Sequence, residues 1–376
     1  MLITHSLGEV DALLPLFLAI SRKQRVKIEM VFTVRSIYHQ FVGNTFYRVF
    51  AERFHIRVTC CQLPNKFDFR NSSLYGYRVG RAIIYRIYFP LARLYAIPRL
   101  FPKLAFSHIF MHECTNQQGS TSFLYLFNSH FSKKIFTYMH GQSFNQPPVI
   151  PRRIPQASRS TFLLWHPNNR ALAESWGFQS FHLIGMTKFW PEWAEYINSY
   201  QTATPLSSGH VVIYTREANN EVYMSKKIYK TLLVTAYSII RRKLANTPII
   251  IKPHPRENLA FLKALIRDHG LEGVGISHEH SAVLAKDALF CVSFWTSCVF
   301  DSLALSVPTV EYFIEPKDFR LAEPAGSMYK LFGIASVETA NDFDEFIDSV
   351  IQGRFRMPAI VRQLRVTKSL DFLVDQ

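Results

Sequence analysis

The 376-residue chain contains no run of eighteen uncharged apolar residues, so it offers no candidate for a membrane-spanning helix; the nearest stretch, 82–97, is cut by Arg86 and Arg93. Its five cysteines, Cys60, Cys61, Cys114, Cys291 and Cys298, are odd in number and lack metal-ligand spacing. No signal peptide precedes them, which argues against a disulfide framework and suits a reducing cytoplasm. There is no internal repeat, no low-complexity tract and no recognisable nucleic-acid-binding module. Between Phe69 and His112 there is no acidic residue, while seven Lys and Arg alternate with ten aromatics.

That local absence belongs to a wider asymmetry. The net charge is +15, with 43 Lys and Arg against 28 Asp and Glu. Residues 1–200 hold 23 of the cations and 9 of the acids, net +14, which leaves 20 against 19, net +1, for 201–376. Such a bias points to an anionic partner for the N-terminal half, whether lipid surface, acidic glycan or nucleic acid. The stretch Phe69–His112 reads as a basic, aromatic helical segment ending near Pro98 and Pro102. Either its arginines solvate a packed helix or they bind a surface.

The chemistry-bearing part of the chain is centred on Thr247–Glu257, TPIIIKPHPRE. Ile249 to Ile251, bounded by prolines, predict a short buried strand that delivers Lys252, His254 and Arg256 to the ligand-facing edge of a parallel sheet. Some forty residues on, Leu289–Val292 predicts a second strand, followed by a turn with hydroxyls at Ser293, Thr296 and Ser297 and a helix with apolar positions Val299, Phe300, Leu303 and Leu305. Hydroxyls and unpaired N–H groups at a helix start suit an anion. Together the segments describe one pocket for a phosphate-bearing ligand.

The remaining pattern alternates strand and helix. Strands are predicted at Leu2–Thr4, Val26–Phe32, Ile56–Cys61, Ser107–Met111, Lys134–Met139, Thr161–Trp165 and Phe181–Ile184, with helices from Val10, over Tyr38–Phe54 and around Asn169–Trp176. Glu9 falls in the first turn of the first helix, where the dipole favours a negative charge. The strand 134–139 runs into a polar turn, His140-Gly141-Gln142-Ser143, a candidate acceptor or cleft loop. After the polar linker Ser199–Gly209 the pattern restarts with strand Val211–Thr215, closed by Arg216, and a helix from Tyr223 to Leu244. A strand at Pro308–Phe313, a helix at Phe343–Ile351 and a terminal helix over Pro358–Val374 complete it. Asp342-Phe343-Asp344 has metal-ligand spacing but lies at a helix start, where a cap is the simpler role. The expected fold is α/β, two Rossmann-like domains facing a central cleft, 1–200 and 201–376, with the terminal helix a candidate to cross back.

These motifs together resemble the two-domain GT-B glycosyltransferases, and locally the bacterial Kdo, sialic acid (ulosonic acid) and capsule polysaccharide transferases. His5-Ser6-Leu7-Gly8-Glu9-Val10 is similar to the opening of lipopolysaccharide Kdo transferases, and by that resemblance Glu9 is the general base. Lys252-Pro253-His254-Pro255-Arg256 resembles the His-Pro motif of the group, and Ser293 to Ser297 its serine-rich phosphate motif. The resemblance implies that His254 contacts the donor nucleotide while Ser293, Thr296 and Ser297 hold its phosphate. Leu183 to Lys188 is similar to the GT-B interdomain crossing. The Gly-Gly-His-Asn element of the Kdo enzymes is absent, and Asp301 stands where many GT-B chains carry a donor-gripping glutamate.

The expected activity is therefore inverting, metal-independent transfer of a sugar, preferably a ulosonic acid from a CMP-activated donor, to a cell-surface glycan or lipid-linked acceptor. Glu9 takes the acceptor proton; Lys252, Pro255, His254, Arg256, Arg216, Ser293, Thr296, Ser297 and Asp301 form the donor site. His140 and Asp11 are the next candidates for base. No cofactor or metal is expected. The partners expected are a nucleotide-sugar donor, the acceptor and an anionic membrane surface; the place is the cytoplasm, peripheral on the inner face of the membrane. Alternatives are a sugar-nucleotide 2-epimerase or a CDP-polyol phosphotransferase with similar motifs, and a basic nucleic-acid-binding protein.

Overall fold

The computed structural model describes residues 1–4, 6–23, 26–62, 89–104, 107–112, 135–139, 158, 160–202, 208–218, 221–365 and 370. They divide into two compact α/β units, the first holding the described residues up to Thr187 together with Leu370, the second those from Lys188 to Arg365.

In the first unit, strands β1 (Leu2–Ile3), β2 (Glu29–Phe32), β3 (Arg57–Cys60), β4 (Ile109–His112), β5 (Ile135–Tyr138), β6 (Thr161–Leu164) and β7 (Ser180–Leu183) form a sheet in the order β3-β2-β1-β4-β5-β6-β7. All its pairings are parallel. The chain builds outward from β1 on one side, then returns to β1 and builds the other, so the switch point lies between β1 and β4. The helix Leu7–Lys23 leaves the end of β1 and buries Val10, Leu13, Leu14, Phe17 and Leu18, the apolar stripe expected of it.

The second unit repeats the plan with β8 (His210–Tyr214), β9 (Ile249–Lys252), β10 (Val274–Ile276), β11 (Ala288–Ser293), β12 (Thr309–Tyr312) and β13 (Ser336–Val337), in the order β10-β9-β8-β11-β12-β13 and again parallel. Every residue of β8 is buried, as a strand covered on both faces requires. Val212, Tyr214, Leu284, Ala285, Cys291 and Val307 form a core cluster beneath the C-terminal edge. Here the switch point lies between β8 and β11.

Several expectations change. The helix predicted over Tyr38–Phe54 is two, Arg35–Gly43 and Thr45–Arg53, because Gly43 weakens the run and the Asn44 side chain caps the second helix by accepting from Tyr47 N at 3.4 Å. Of Phe69–His112, residues 63–88 lie outside those described; Phe89–Leu104 is helical with both Pro98 and Pro102 inside it, and the segment then ends in β4. The break between units precedes the polar linker. Helix Pro191–Ser199 goes with the second unit, where Trp193 meets His280 edge-on at 5.7 Å and Lys286 Nζ donates to Tyr200 O at 2.8 Å. The terminal helix is described as Ala359–Leu364, and the rest of its predicted span lies outside the described residues apart from the buried Leu370. At Ala340–Ile351 the cap is Thr339, which accepts from Asp342 N at 3.1 Å, so Asp342 is a first-turn acid rather than the cap; Asp344 is paired with Arg242 and Lys243.

Candidate functional site

The switch point of the second sheet is where the predicted donor residues converge. Thr215 and Arg216 follow β8, the Pro-His-Pro loop follows β9, and Phe294 to Ser297 follow β11. The ladder carries on past the strands: Thr215 N donates to Lys252 O at 3.1 Å and Phe294 N to Tyr214 O at 2.9 Å, which fixes the three loop starts relative to one another.

Arg216 lies across this edge. Its Nη1 donates to Trp295 O at 3.3 Å, and its guanidinium sits over the Trp295 ring at 4.3 Å and the Tyr223 ring at 5.2 Å. Burial pulls its pKa down, but a guanidinium remains charged. Trp295 is stacked between Tyr223 (4.8 Å) and Phe313 (5.6 Å), with Phe319 edge-on. Its φ of 53° is left-handed, a strain of roughly 1–3 kcal/mol for a bulky residue, and its buried Nε1 has no hydrogen-bond partner among the described residues. The aromatic packing holds the strained turn against which Arg216 lies.

In the loop after β9, Pro253 and Pro255 have no N–H, and the N–H groups between them and Asn258 are satisfied locally. His254 N donates to Glu257 Oε2 (3.0 Å), Arg256 N to His254 Nδ1 (3.2 Å) and Glu257 N to His254 O (2.8 Å). The donors that this loop can turn to a ligand are therefore on side chains: Lys252, half-buried, the His254 ring, and Arg256, exposed and 3.3 Å from Glu217.

The hydroxyl turn after β11 is also partly self-contained. Ser293 Oγ accepts from Thr296 N and donates to Thr296 O, both at 3.1 Å, and Thr296 Oγ1 accepts from Cys298 N at 3.2 Å. Ser293 and Thr296 are buried and shape the turn, whereas Ser297 is half-buried. The following helix, Val299–Ala304, has only six residues. Asp301 is 1 % exposed; Ser281 Oγ donates to its Oδ2 at 2.7 Å and Lys188 Nζ pairs with its Oδ1 at 2.6 Å. That carboxylate is engaged inside the unit rather than turned to the edge.

At the switch point of the first unit, Glu9 is fully buried. It accepts from Thr4 N on Oε2 at 2.9 Å and from Ser6 N on Oε1 at 3.1 Å, capping the turn between β1 and the helix. Asp11 accepts from Tyr47 Oη. His140, Gly141, Gln142 and Ser143 lie outside the described residues.

Sequence reasoning missed Trp295, Tyr223 and Glu257. The Glu257 carboxylate accepts from Thr215 Oγ1 at 2.5 Å, from Tyr229 Oη and from His254 N, and burial raises its pKa. Its position three residues after His254 was a readable signal, since an acidic side chain at that offset reaches back to a backbone N–H.

No protein-family model matches the chain, and no curated protein matches it in sequence. Solved structures do match in fold. The UDP-GlcNAc 2-epimerase from Neisseria meningitidis bound to UDP-GlcNAc superposes with a TM-score of 0.58 at 10 % identity, covering 100 % of this chain and 99 % of that one. The UDP-GlcNAc 2-epimerase from Methanocaldococcus jannaschii gives 0.57 at 10 % identity with the same coverage. UGT2 of Phytolacca americana, complexed with UDP-2-fluoro-glucose and pterostilbene, gives 0.50 at 8 %, covering 97 % of this chain and 93 % of that one. With two doubly wound parallel sheets in succession, the chain has the GT-B fold.

Proposed function

We propose that the protein is a GT-B enzyme acting on a nucleotide-activated sugar, and that it transfers the sugar to an acceptor hydroxyl. The observation that carries the reading is the convergence of Arg216, Lys252, His254, Arg256 and Ser297 on the C-terminal edge of one sheet around its switch point, where open α/β folds bind ligands. Cations and a serine there suit the phosphate of a leaving nucleotide, and their charge neutralises it without calling on a metal. Ser293, Thr296 and Pro255 shape the two loops. The Pro-His-Pro and serine motifs favour a CMP-activated ulosonic acid as donor, with a glycan or lipid-linked acceptor.

In this reading the acceptor hydroxyl attacks the anomeric carbon as the bond to phosphate breaks, inverting the centre, and Glu9 takes the hydroxyl proton. That role requires the acceptor to reach a carboxylate that now accepts two backbone N–H bonds. The helix Phe89–Leu104, with exposed Leu91, Leu94 and Tyr95 and with Arg99 over Tyr95 at 3.5 Å, supports docking on the cytoplasmic face of an anionic membrane. Among the described residues, no helix is long and apolar enough to cross one.

A second reading, a UDP-sugar 2-epimerase, is favoured by the full-length fold likeness to such enzymes. One experiment separates the two. Melting temperature is measured with CMP, CDP, UDP and GDP, since a ligand bound only by the folded state raises it; the matching sugar nucleotide is then incubated without acceptor. Stabilisation by CMP and no turnover of donor alone is the expected result. Stabilisation by UDP with epimer formed from donor alone would replace the transferase, and no shift with any nucleotide would remove the donor site.

A further inference from the structure

Resting on the donor-site reading, the geometry points to Glu257 as the positioning residue that sets the Pro-His-Pro loop and the tautomer of His254. Three elements meet at its carboxylate: Thr215 from the end of β8, His254 N from the loop after β9, and Tyr229 from the helix Lys226–Lys243. The exchange with His254 is reciprocal. Glu257 N donates to His254 O at 2.8 Å while the Glu257 side chain accepts from His254 N at 3.0 Å, so the backbone of His254 is held at both ends by one residue. Prolines on either side restrict what torsional freedom is left.

The ring follows from the backbone. Closing the loop in this way brings Arg256 N to His254 Nδ1 at 3.2 Å. A neutral imidazole whose Nδ1 accepts must carry its proton on Nε2, so the loop makes His254 an Nε2–H donor, the form that binds a phosphate oxygen. Glu257 thus acts on the ligand through His254 without touching it. What it supplies is acceptor geometry and not charge. In Glu257→Gln, one amide oxygen can still take the His254 N–H and the Thr215 hydroxyl, while the NH₂ donates to Tyr229 Oη. In Glu257→Ala nothing takes the His254 N–H, and in Glu257→Asp the carboxylate is one methylene short of it.

The test uses the full-length chain, with CMP and UDP each titrated into wild type, Glu257→Ala, Glu257→Asp, Glu257→Gln, His254→Ala and the double variant Glu257→Ala/His254→Ala, and with ¹⁵N NMR reporting the His254 tautomer. Glu257→Ala and Glu257→Asp are expected to weaken nucleotide binding about tenfold, the size of one hydrogen bond to a charged group, and to abolish the pure Nε2–H signature; Glu257→Gln should stay within about twofold of wild type. Adding Glu257→Ala to His254→Ala should cost nothing further. If the loss is equal with and without His254, or if the tautomer survives in the Ala and Asp variants, Glu257 only supports the fold and the proposal is wrong. Should the Ala variant not fold, Asp against Gln decides the same point. If wild type binds neither nucleotide, the donor-site reading fails on its own, and the tautomer signal alone decides whether Glu257 sets His254.

Discussion

Glu311 lies on β12, between β11 and the edge strand β13, with no exposure, and its charge has no ion-pair partner among the described residues. Burial pushes its pKa from 4.5 up to about 7, even though Ser336 Oγ (2.7 Å) and Ser327 Oγ (2.7 and 2.8 Å) donate to it and partly oppose the rise. The nearest charges, Lys330 and Glu338, pair with each other at 2.8 Å. Because the folded-state pKa lies above that of the unfolded chain, the folded state binds the extra proton between pH 4.5 and about 7. Stability from this group is therefore full below that window, falls as pH rises through it and is level above it; a rise of that size amounts to roughly 3 kcal/mol. Glu311→Gln removes the titration while keeping groups that serine hydroxyls can meet as donor or acceptor. Urea unfolding followed by circular dichroism at pH 5, 6, 7 and 8 should show the variant gaining on wild type by roughly 2–3 kcal/mol from the lowest to the highest pH. Subtracting wild type cancels the other titrating groups, including Glu257 and Glu323, whose pKa burial also raises. Parallel curves, or a wild type that gains on the variant with rising pH, would show that Glu311 is charged in the folded protein and that the reasoning is wrong.

Asp301→Asn should cost about 3–5 kcal/mol, because it removes the negative charge from a buried pair whose Lys188 ammonium is only 15 % exposed; a loss under about 1 kcal/mol in urea unfolding would mean the pair is not buried in solution. Glu9→Gln should reduce turnover of donor plus acceptor about a hundredfold or more, and should also lower stability by about 1 kcal/mol, since an amide can satisfy only one of the Thr4 and Ser6 N–H groups; unaltered turnover would leave Glu9 as a cap. The chain should sediment with anionic but not neutral liposomes at low salt and be released at 1 M, where the Debye length is about 3 Å; replacing Arg78, Arg81, Arg86 and Arg93 by Gln should abolish this, and equal binding to neutral liposomes would point to apolar contact alone.

What was legible in the sequence was whatever rests on local pattern. Ile249 to Ile251 announced β9 because three β-branched residues between prolines suit a strand covered on both faces, and the strand delivered Lys252 and His254 to the edge as expected. What was not legible depends on partners far apart in the chain. Glu257 stands in the same motif, and its reach back to His254 N is a local signal, but its meeting with Thr215 and Tyr229, 42 and 28 positions away, is visible only in the fold. Trp295 could not be read as the left-handed residue of its turn, because a bulky side chain argues against that conformation unless rings such as Tyr223 and Phe313 hold it there. Composition does not show that the Ser293 and Thr296 hydroxyls bond within their own turn. Asn44 was passed over inside an apolar periodicity that continues on both sides of it, although Asn after Gly is a helix-start signal.

The two switch points differ in a way that bears on chemistry. Between β1 and β4 the chain closes on itself: Glu9 is buried and both its oxygens are occupied by the backbone just before it, so this edge presents a finished turn. Between β8 and β11 the edge presents charge. Arg216 is half-buried with one N–H committed to Trp295 O, the local N–H groups of the Pro-His-Pro loop are already satisfied, and the cationic side chains around them remain at the surface. A loop whose backbone needs nothing from a ligand does not have to reorganise when one arrives, and the entropy of ordering it is met on folding rather than on binding. On the proposed function, the acceptor-rich surface of a nucleotide phosphate would meet side-chain donors from the Pro-His-Pro loop at that second edge. The net +14 of residues 1–200 is not the charge of the proposed donor site, because that site's cations lie in the half of the chain whose total charge is nearly balanced. Charge bias along a sequence and charge at a site are separate signals, and in this protein they fall on separate units.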